Sequence, residues 1–231
     1  MLKPLLFTAI ISAVVTTVYG HGYVQEIVSG SAKYTGYLPY QDPYMNPAPQ
    51  RIALLKTCPL SSDIFLTFTQ VIANFYPSVQ CNGWSQGGVV GSAPAPIFAT
   101  FAAGSSVSLN WTTWPDSHVG PVITYMARAP SDITKWNPGS SAVWFKVAES
   151  GKTSDGRWAA TDLLYASNHI YTFRIPPRLQ PGQYIIRHEI IALHSAYSYP
   201  GAQVYPSCIQ VQVTDKGAYP IPGPAVWTGG N

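Results

Sequence analysis

Charged residues are scarce in this chain of 231 residues, where they make up 10% of the sequence, against about a quarter in typical soluble proteins. The 13 basic and 10 acidic residues leave a formal net charge of +3 at pH 7. A balance this close to neutral does not favour a nucleic acid or an anionic membrane as a partner. We therefore expect neither partner.

Long apolar runs are also lacking beyond the N-terminus. Lys3, the apolar residues 5–15 and the small residues before position 21 together have the pattern of a secretory signal peptide. This predicts that residues 1–20 are removed, that His21 becomes the first residue, and that the protein is secreted and extracellular. No later run reaches membrane-spanning length, so we expect a protein that is released into solution.

Cysteine is sparse as well, with only Cys58, Cys81 and Cys208. In an oxidising compartment two of the three are expected to pair and one to be left over. Composition alone does not say which two.

Proline and glycine, in contrast, are abundant, with 21 and 19 residues. They separate β-rich runs, which indicates strands and loops with little helix. We predict an all-β protein, an immunoglobulin-like antiparallel β-sandwich, in which residues 21–231 form a single domain. No linker rich in Ser, Thr and Pro leads to an appended binding module, so we expect the domain to act alone, as a monomer. The predicted strands are residues 23–28, 106–111, 122–127, 143–147, 170–175, 183–193 and 208–213.

The proline-rich stretch of residues 37–49 does not fit a central strand, because proline lacks the amide that a β-ladder needs. We predict a long surface loop there.

Ten carboxylates occur along the chain, but none forms a recognisable pair. Glycoside hydrolysis usually needs two carboxylates that flank the scissile bond. A glycosidase is therefore disfavoured, although it stays open as an alternative. Serine nucleophile elbows and phosphate-binding glycine loops are absent too.

Five histidines remain as candidates for chemistry. An N-terminal His21 would chelate a metal through its α-amine and Nδ1, unless its position is a chance result of cleavage. His118 follows one predicted strand and precedes another, in a loop suited to a ligand or to an ordinary surface histidine. His169 and His188 have the pattern of structural residues in or beside strands.

A second set of polar residues follows the predicted strand of residues 183–193. His194 closes a predicted strand, and Gln203 and Tyr205 follow. Because Gln203 and Tyr205 are two residues apart, an extended segment places both side chains on one face. Ordinary packing is the alternative reading of Tyr205. Histidine nitrogens with an amine and a distant phenol fit copper, whereas zinc would bind the same nitrogens without redox chemistry.

Several segments resemble those of a known family. They are residues 40–52 (YQDPYMNPAPQRI), 81–84 (CNGW), 116–127 (DSHVGPVITYMA), 143–147 (VWFKV), 175–196 (IPPRLQPGQYIIRHEIIALHSA) and 201–213 (GAQVYPSCIQVQV). The chain is similar to the lytic polysaccharide monooxygenases of auxiliary activity family nine, formerly glycoside hydrolase family sixty-one. These are copper enzymes with a β-sandwich fold.

The resemblance implies roles for particular residues. His21 and His118 match the histidine brace that holds one copper ion per chain, and Tyr205 matches its axial tyrosine. His194 and Gln203 match the pair that hydrogen-bonds an oxygen species at the copper. The remaining matches are a substrate-stacking tyrosine, Tyr219, and a disulfide bond between Cys81 and Cys208. Further candidates for substrate contacts are Tyr37, Tyr40 and Tyr44, with packing as the alternative for each.

The implied activity is oxidative cleavage of cellulose or a related β-1,4-glucan by hydroxylation at C1 or C4. It uses H2O2 or O2 and an external electron donor. Val204 replaces the aromatic residue that the family usually has between Gln203 and Tyr205, and the chain diverges from the family after Tyr219. A secreted copper-binding or polysaccharide-binding sandwich without catalytic activity is the alternative. Oxidised oligosaccharides released from cellulose would distinguish the two.

Overall fold

The computed structural model describes residues 22–39, 41–53, 71–72, 81, 93–139, 141–199 and 201–214. His21, Tyr40, Cys58 and Tyr219 lie outside these residues. Within them, ten strands account for most of the regular structure: β1 (Val24–Ser29), β2 (Ala32–Thr35), β3 (Val71–Ile72), β4 (Ala99–Ala102), β5 (Ser106–Trp111), β6 (Val122–Arg128), β7 (Trp144–Ser150), β8 (Ile170–Arg174), β9 (Gly182–Ala192) and β10 (Gln203–Thr214).

The strands form two sheets. One has four strands in the order β2-β1-β5-β8, and the other has the order β3-β10-β9-β6-β7 with β4 added against β10. Three short helical turns lie wholly within the described residues: a 3-10 turn (Asp42–Tyr44), a π-helical turn (Ala159–Leu163) and an α-helical turn (Leu164–Ala166). Cys81 is also helical. The predicted all-β sandwich with little helix is confirmed.

One edge of β10 is covered by three short segments rather than by one long strand. β3 pairs with Gln203 and Val204, and β4 pairs with residues 211–214. Between them, the backbone amide of Gln210 donates a hydrogen bond of 2.8 Å to the oxygen of Ile52. The β4–β10 pairing is parallel, an exception to the antiparallel arrangement that we predicted. Together these segments leave little of the β10 edge open to pairing with another chain.

The main hydrophobic core lies between the two sheets. Alternate residues of each strand point into it, as the two-residue period of a strand requires. Burial of this apolar surface is the dominant stabilising contribution to folding. Its largest fully buried members include Trp111, Trp114, Tyr184, Tyr205, Ile27, Leu109 and Met126.

The central strand β9 is buried on both faces. Ile186 and Ile190 belong to the core between the sheets, whereas Ile185 packs in a second cluster on the opposite face with Cys81 and Cys208. Cys81 and Cys208 form a disulfide bond, the pairing that the resemblance implies. This bond joins residues 127 positions apart in the sequence.

Polar residues of β9 are buried with partners. His188 accepts a hydrogen bond of 3.1 Å from Nε1 of Trp111, and its Nδ1 lies 2.9 Å from Oγ1 of Thr124. On the other face, Arg187 forms an ion pair of 2.6 Å with Glu189. The structural role predicted for His188 agrees with these contacts.

The proline-rich loop is held by a buried ion pair. Arg51 donates two hydrogen bonds, of 3.0 and 2.9 Å, to the carboxylate of Asp42, which also accepts the amide of Leu38 at 3.0 Å. Apart from the turn Asp42–Tyr44 the described part of this loop has no helix or strand, as predicted. Tyr44 is 65% exposed and Tyr37 is half-buried.

Candidate metal centre

The loop that carries His118 joins β5 to β6 and is held in place by contacts with Gly22 and Tyr23. At its start, Thr112 exchanges two hydrogen bonds with Tyr23, from the Tyr23 amide to the Thr112 hydroxyl at 3.1 Å and from the Thr112 amide to the Tyr23 oxygen at 3.0 Å. Gly22 lies directly against the Trp114 indole, since a Cβ atom there would lie 2.8 Å from it. The residues that follow His21 are therefore attached to the His118 loop.

Trp114 is the internal support of this loop. Its Nε1 donates a hydrogen bond of 2.9 Å to the backbone oxygen of His118, and its own backbone oxygen accepts a hydrogen bond of 2.7 Å from the hydroxyl of Tyr165. Trp114 is fully buried and packs edge-on against both Tyr205 and His118, with ring centroids 4.9 and 5.8 Å away. One indole thus contacts both candidate metal-site rings.

The end of β9 brings His194 beside His118. The amides of Ile191 and Leu193 donate to the backbone oxygens of Pro121 and Val119 at 3.0 and 2.8 Å. These two bonds align the strand end with the loop, and the two imidazole rings stack with centroids 3.6 Å apart and planes at 25°. Residues 76 positions apart in the sequence thereby share one surface.

Gln203 and Tyr205 complete the described cluster. The Tyr205 hydroxyl donates a hydrogen bond of 2.7 Å to Oε1 of Gln203, so both side chains lie on one face, as their spacing predicts. The Tyr205 ring centroid lies 6.5 Å from that of His118. Four of the candidate residues, His118, His194, Gln203 and Tyr205, are therefore brought together by the fold.

Burial favours the uncharged forms of two residues in this cluster. It raises the pKa of the Tyr205 phenol well above its ordinary value, so the hydroxyl stays protonated. It lowers the pKa of His194, which favours the neutral imidazole. Tyr205 and His194 therefore present neutral oxygen and nitrogen atoms.

The donor set fits copper. Nδ1 of His118 lies 3.0 Å from the hydroxyl of Ser117, the type of contact that orients a metal-binding histidine and assigns the metal to Nε2. Nδ1 of His194 is buried without a hydrogen-bond partner among the described residues. A neutral set of imidazole nitrogens with a phenol suits copper better than magnesium or calcium, which prefer carboxylates.

Sequence reasoning missed Trp114, Ser117 and Tyr165, although Trp114 and Ser117 lie within four residues of His118. Their partners are set by the tertiary fold and leave no periodic signal. His169 directly precedes β8, which begins at Ile170 as predicted. Asn168 and His169 turn the chain into this strand with left-handed backbone angles, at φ of 53° and 61°.

Fold and site together define a β-sandwich protein with a nitrogen-rich candidate metal centre at one end of the sandwich. The model of Auxiliary Activity family 9, formerly GH61, matches residues 21–230. The chain therefore belongs to this family. It is a lytic polysaccharide monooxygenase, a copper-dependent enzyme that cleaves polysaccharides oxidatively.

Relatives and solved structures agree with this assignment. AA9 family lytic polysaccharide monooxygenase B of Gloeophyllum trabeum is 47% identical and aligns with 96% of this chain and 98% of its own length. The B enzyme of Malbranchea cinnamomea is 44% identical, with 91% and 93% covered. The extended catalytic domain of H. jecorina LPMO9A, also called EG4, is 30% identical with a TM-score of 0.73, covering 87% of this chain and 77% of that domain.

No helix within the residues that the structure describes is both long and apolar enough to cross a membrane. This finding concerns those residues alone.

Proposed function

We propose that this enzyme cleaves cellulose or a related β-1,4-glucan by hydroxylating C1 or C4 of the glycosidic linkage. The O–O bond of the oxidant breaks, one oxygen enters the C–H bond and the other leaves as water. With H2O2 no further electrons are needed, whereas O2 requires two electrons and two protons, the electrons coming from the external donor. The hydroxylated carbon then loses the glycosidic oxygen, which breaks the chain.

The observation that carries this proposal is the convergence of His118, His194, Gln203 and Tyr205 through the 3.6 Å ring stack and the 2.7 Å hydrogen bond. A solved relative titled a cellulose-active polysaccharide monooxygenase from M. thermophila is 26% identical, with a TM-score of 0.67 and coverage of 87% of this chain. That title supports cellulose as the substrate.

The residues that would hold one copper ion per chain are His21, through its α-amine and Nδ1, His118, through Nε2, and Tyr205, through its phenol. His21 lies outside the described residues. The family match that begins at this residue and the contact of Gly22 with Trp114 support its assignment. When bound, copper supplies the one-electron redox chemistry. Removal of residues 1–20 and secretion belong to the same proposal, because only cleavage there produces an N-terminal His21.

The protein's own groups then position the oxidant. Gln203 holds its amide toward Tyr205 through the 2.7 Å hydrogen bond, and the neutral His194 imidazole provides a ring nitrogen for a further bond. Tyr205 is 1% exposed and Nδ1 of His194 is buried, and the low dielectric of such surroundings strengthens a hydrogen bond. Tyr219, outside the described residues, is proposed to stack on the substrate.

The test is product analysis with the processed, copper-loaded protein. It is incubated with phosphoric-acid-swollen cellulose and ascorbate, and soluble products are read by mass spectrometry. We expect aldonic acids or 4-ketoaldoses only when the reductant is present, and their ratio gives the regioselectivity. A protein with one extra residue before His21 is the control and should yield none.

Two results would contradict the proposal. Products with native reducing ends that form without reductant would indicate hydrolysis. A normal Cu(II) spectrum with no oxidised product from any β-1,4-glucan would leave the non-catalytic binding role in place of the cellulose assignment.

A further inference from the structure

We propose that Tyr197 and Tyr199 form a stacking platform for an uncharged β-glucan chain beside the metal centre. The inference rests on the proposed function and adds two residues to its substrate surface. Both tyrosines lie in the loop between β9 and β10, a segment to which the sequence analysis gave no role beyond its ends.

Their exposure is the first observation. Tyr197 is 90% exposed and Tyr199 is 83% exposed, more than any other large hydrophobic residue among those that the structure describes. A single exposed aromatic residue is ordinary. Two in one short loop next to a candidate active site present apolar ring surface that a partner would remove from water.

Their position is the second observation. Tyr197 follows His194 by three residues, which limits the distance between their Cα atoms to about 11 Å. Tyr199 precedes Gln203 by four residues, a limit of about 14 Å. Both rings are therefore carried by backbone that lies close to His194 or to Gln203.

The backbone of this loop is held by its own hydrogen bonds. The amide of Ala196 donates to the oxygen of Leu193 at 3.0 Å, and the amide of Gly201 donates to the oxygen of Ser198 at 2.7 Å. A Cβ atom at Gly201 would lie 1.7 Å from the oxygen of Ser195, so the chain closes too tightly for any other residue there. The two rings are thus presented from a fixed support while remaining in solvent.

The lack of charged residues in this loop favours an uncharged polymer as the ligand. Residues 195–202 (SAYSYPGA) contain no Asp, Glu, Lys or Arg. An anionic polymer would need cations for binding, and none lies in this segment. A glucan is uncharged, and the C–H face of a pyranose ring is an apolar surface that packs on an aromatic face.

The experiment measures binding of the full processed chain, free of copper, to microcrystalline cellulose by depletion from solution. The test variant is Tyr197→Ala with Tyr199→Ala. The matched aromatic control is Phe98→Ala, since Phe98 is 38% exposed and adjoins β4. β4 pairs with β10 from Val211 onward, about 27 Å along the strand from Gln203.

We expect the double alanine variant to bind about tenfold more weakly, since each ring contact of ordinary strength accounts for a several-fold change. Replacing both tyrosines by phenylalanine should preserve binding, because the ring and not the hydroxyl makes the contact. Phe98→Ala should bind like the wild type. The loss should be the same at 50 mM and 500 mM salt, because uncharged groups are not screened.

Wild-type affinity in the double alanine variant would overturn this inference alone. A wild-type protein that neither binds cellulose nor releases oxidised products would overturn the cellulose assignment and this inference with it. Loss of concentration-dependent dimerisation in the double variant, with cellulose binding unchanged, would assign the two tyrosines to a second copy of the chain and also overturn it.

Discussion

Nε1 of Trp114 donates a hydrogen bond of 2.9 Å to the backbone oxygen of His118, so a buried tryptophan fixes the loop that carries a proposed copper ligand. The same indole packs edge-on against Tyr205 at 4.9 Å. Trp114 therefore sets the relative position of the imidazole and the phenol without itself offering a ligand atom.

Trp114→Phe should lower copper affinity about tenfold, the lower end of the range for groups that orient metal ligands. The ring packing is largely kept, but the His118 oxygen loses its donor. Isothermal titration with Cu(II) measures the effect. Trp144→Phe is the control, because Nε1 of Trp144 has no hydrogen-bond partner among the described residues. Equal affinities in the two variants would contradict the positioning role.

Gln203→Ala should reduce oxidised product formation by about ten- to a hundredfold while copper binding changes little. The variant removes the amide oxygen that accepts a hydrogen bond from the Tyr205 hydroxyl, but it leaves all of the proposed nitrogen ligands in place. Gln212→Ala on the same strand is the matched control, since its side chain bonds only its neighbour Val213 in the described contacts. A loss of product in both variants would instead indicate a general effect on β10.

His188 should make the protein less stable in acid. Burial lowers its pKa to about 3 from the ordinary 6.5. Between these values the unfolded chain binds a proton that the folded protein excludes, so the free energy of unfolding falls as pH falls from 6.5 towards 3. The slope from this one group is at most about 1.4 kcal/mol per pH unit.

Urea denaturation at pH 6.5, 5.5 and 4.5 measures that slope, and His188→Gln should make it shallower. The absolute stability of the variant is not the readout, because loss of the Trp111 contact lowers it at every pH. Slopes of variant and wild type should coincide at pH 7.5 to 8.5, where His188 is neutral in both states. Identical slopes below pH 6.5 would contradict the prediction.

The disulfide bond between Cys81 and Cys208 should contribute about 4 to 5 kcal/mol, because it closes a loop of more than a hundred residues in the unfolded chain. The variant with both cysteines replaced by serine should melt at a lower temperature. Reduced wild type should melt close to this variant, and reductant should not affect the variant itself. A wild-type melting temperature insensitive to full reduction would argue against a stabilising bond.

The sequence predicted the strands best where burial alternates strongly. Residues 106–111 were expected as a strand and form β5 with those bounds. β2, β3 and β4 were missed because they are short, and β3 and β4 pair with β10, which lies far along the chain. β10 begins at Gln203, five residues before the predicted start at residue 208. Proline is unfavourable in a strand, but the strand continues through Pro206.

The candidate site was predicted in part, through residues whose chemistry is visible without a fold. His118, His194, Gln203 and Tyr205 were identified by residue type, by local spacing and by family resemblance. The stacking of His118 on His194 was not predictable, because it depends on the pairing of the β9 end with residues 119–121. The exposed rings of Tyr197 and Tyr199 gave no signal either, since exposure is a property of the folded chain.

The covered edge of β10 should prevent local opening of the strand that carries Gln203 and Tyr205. Gln203 and Tyr205 belong to a strand bonded to β9 along its length, covered on its other edge by three short segments and joined covalently at Cys208. Opening the strand locally would require breaking several of these connections together. The amide of Tyr205 should accordingly exchange hydrogen with solvent only when the whole domain unfolds, so the site keeps its geometry for as long as the fold persists.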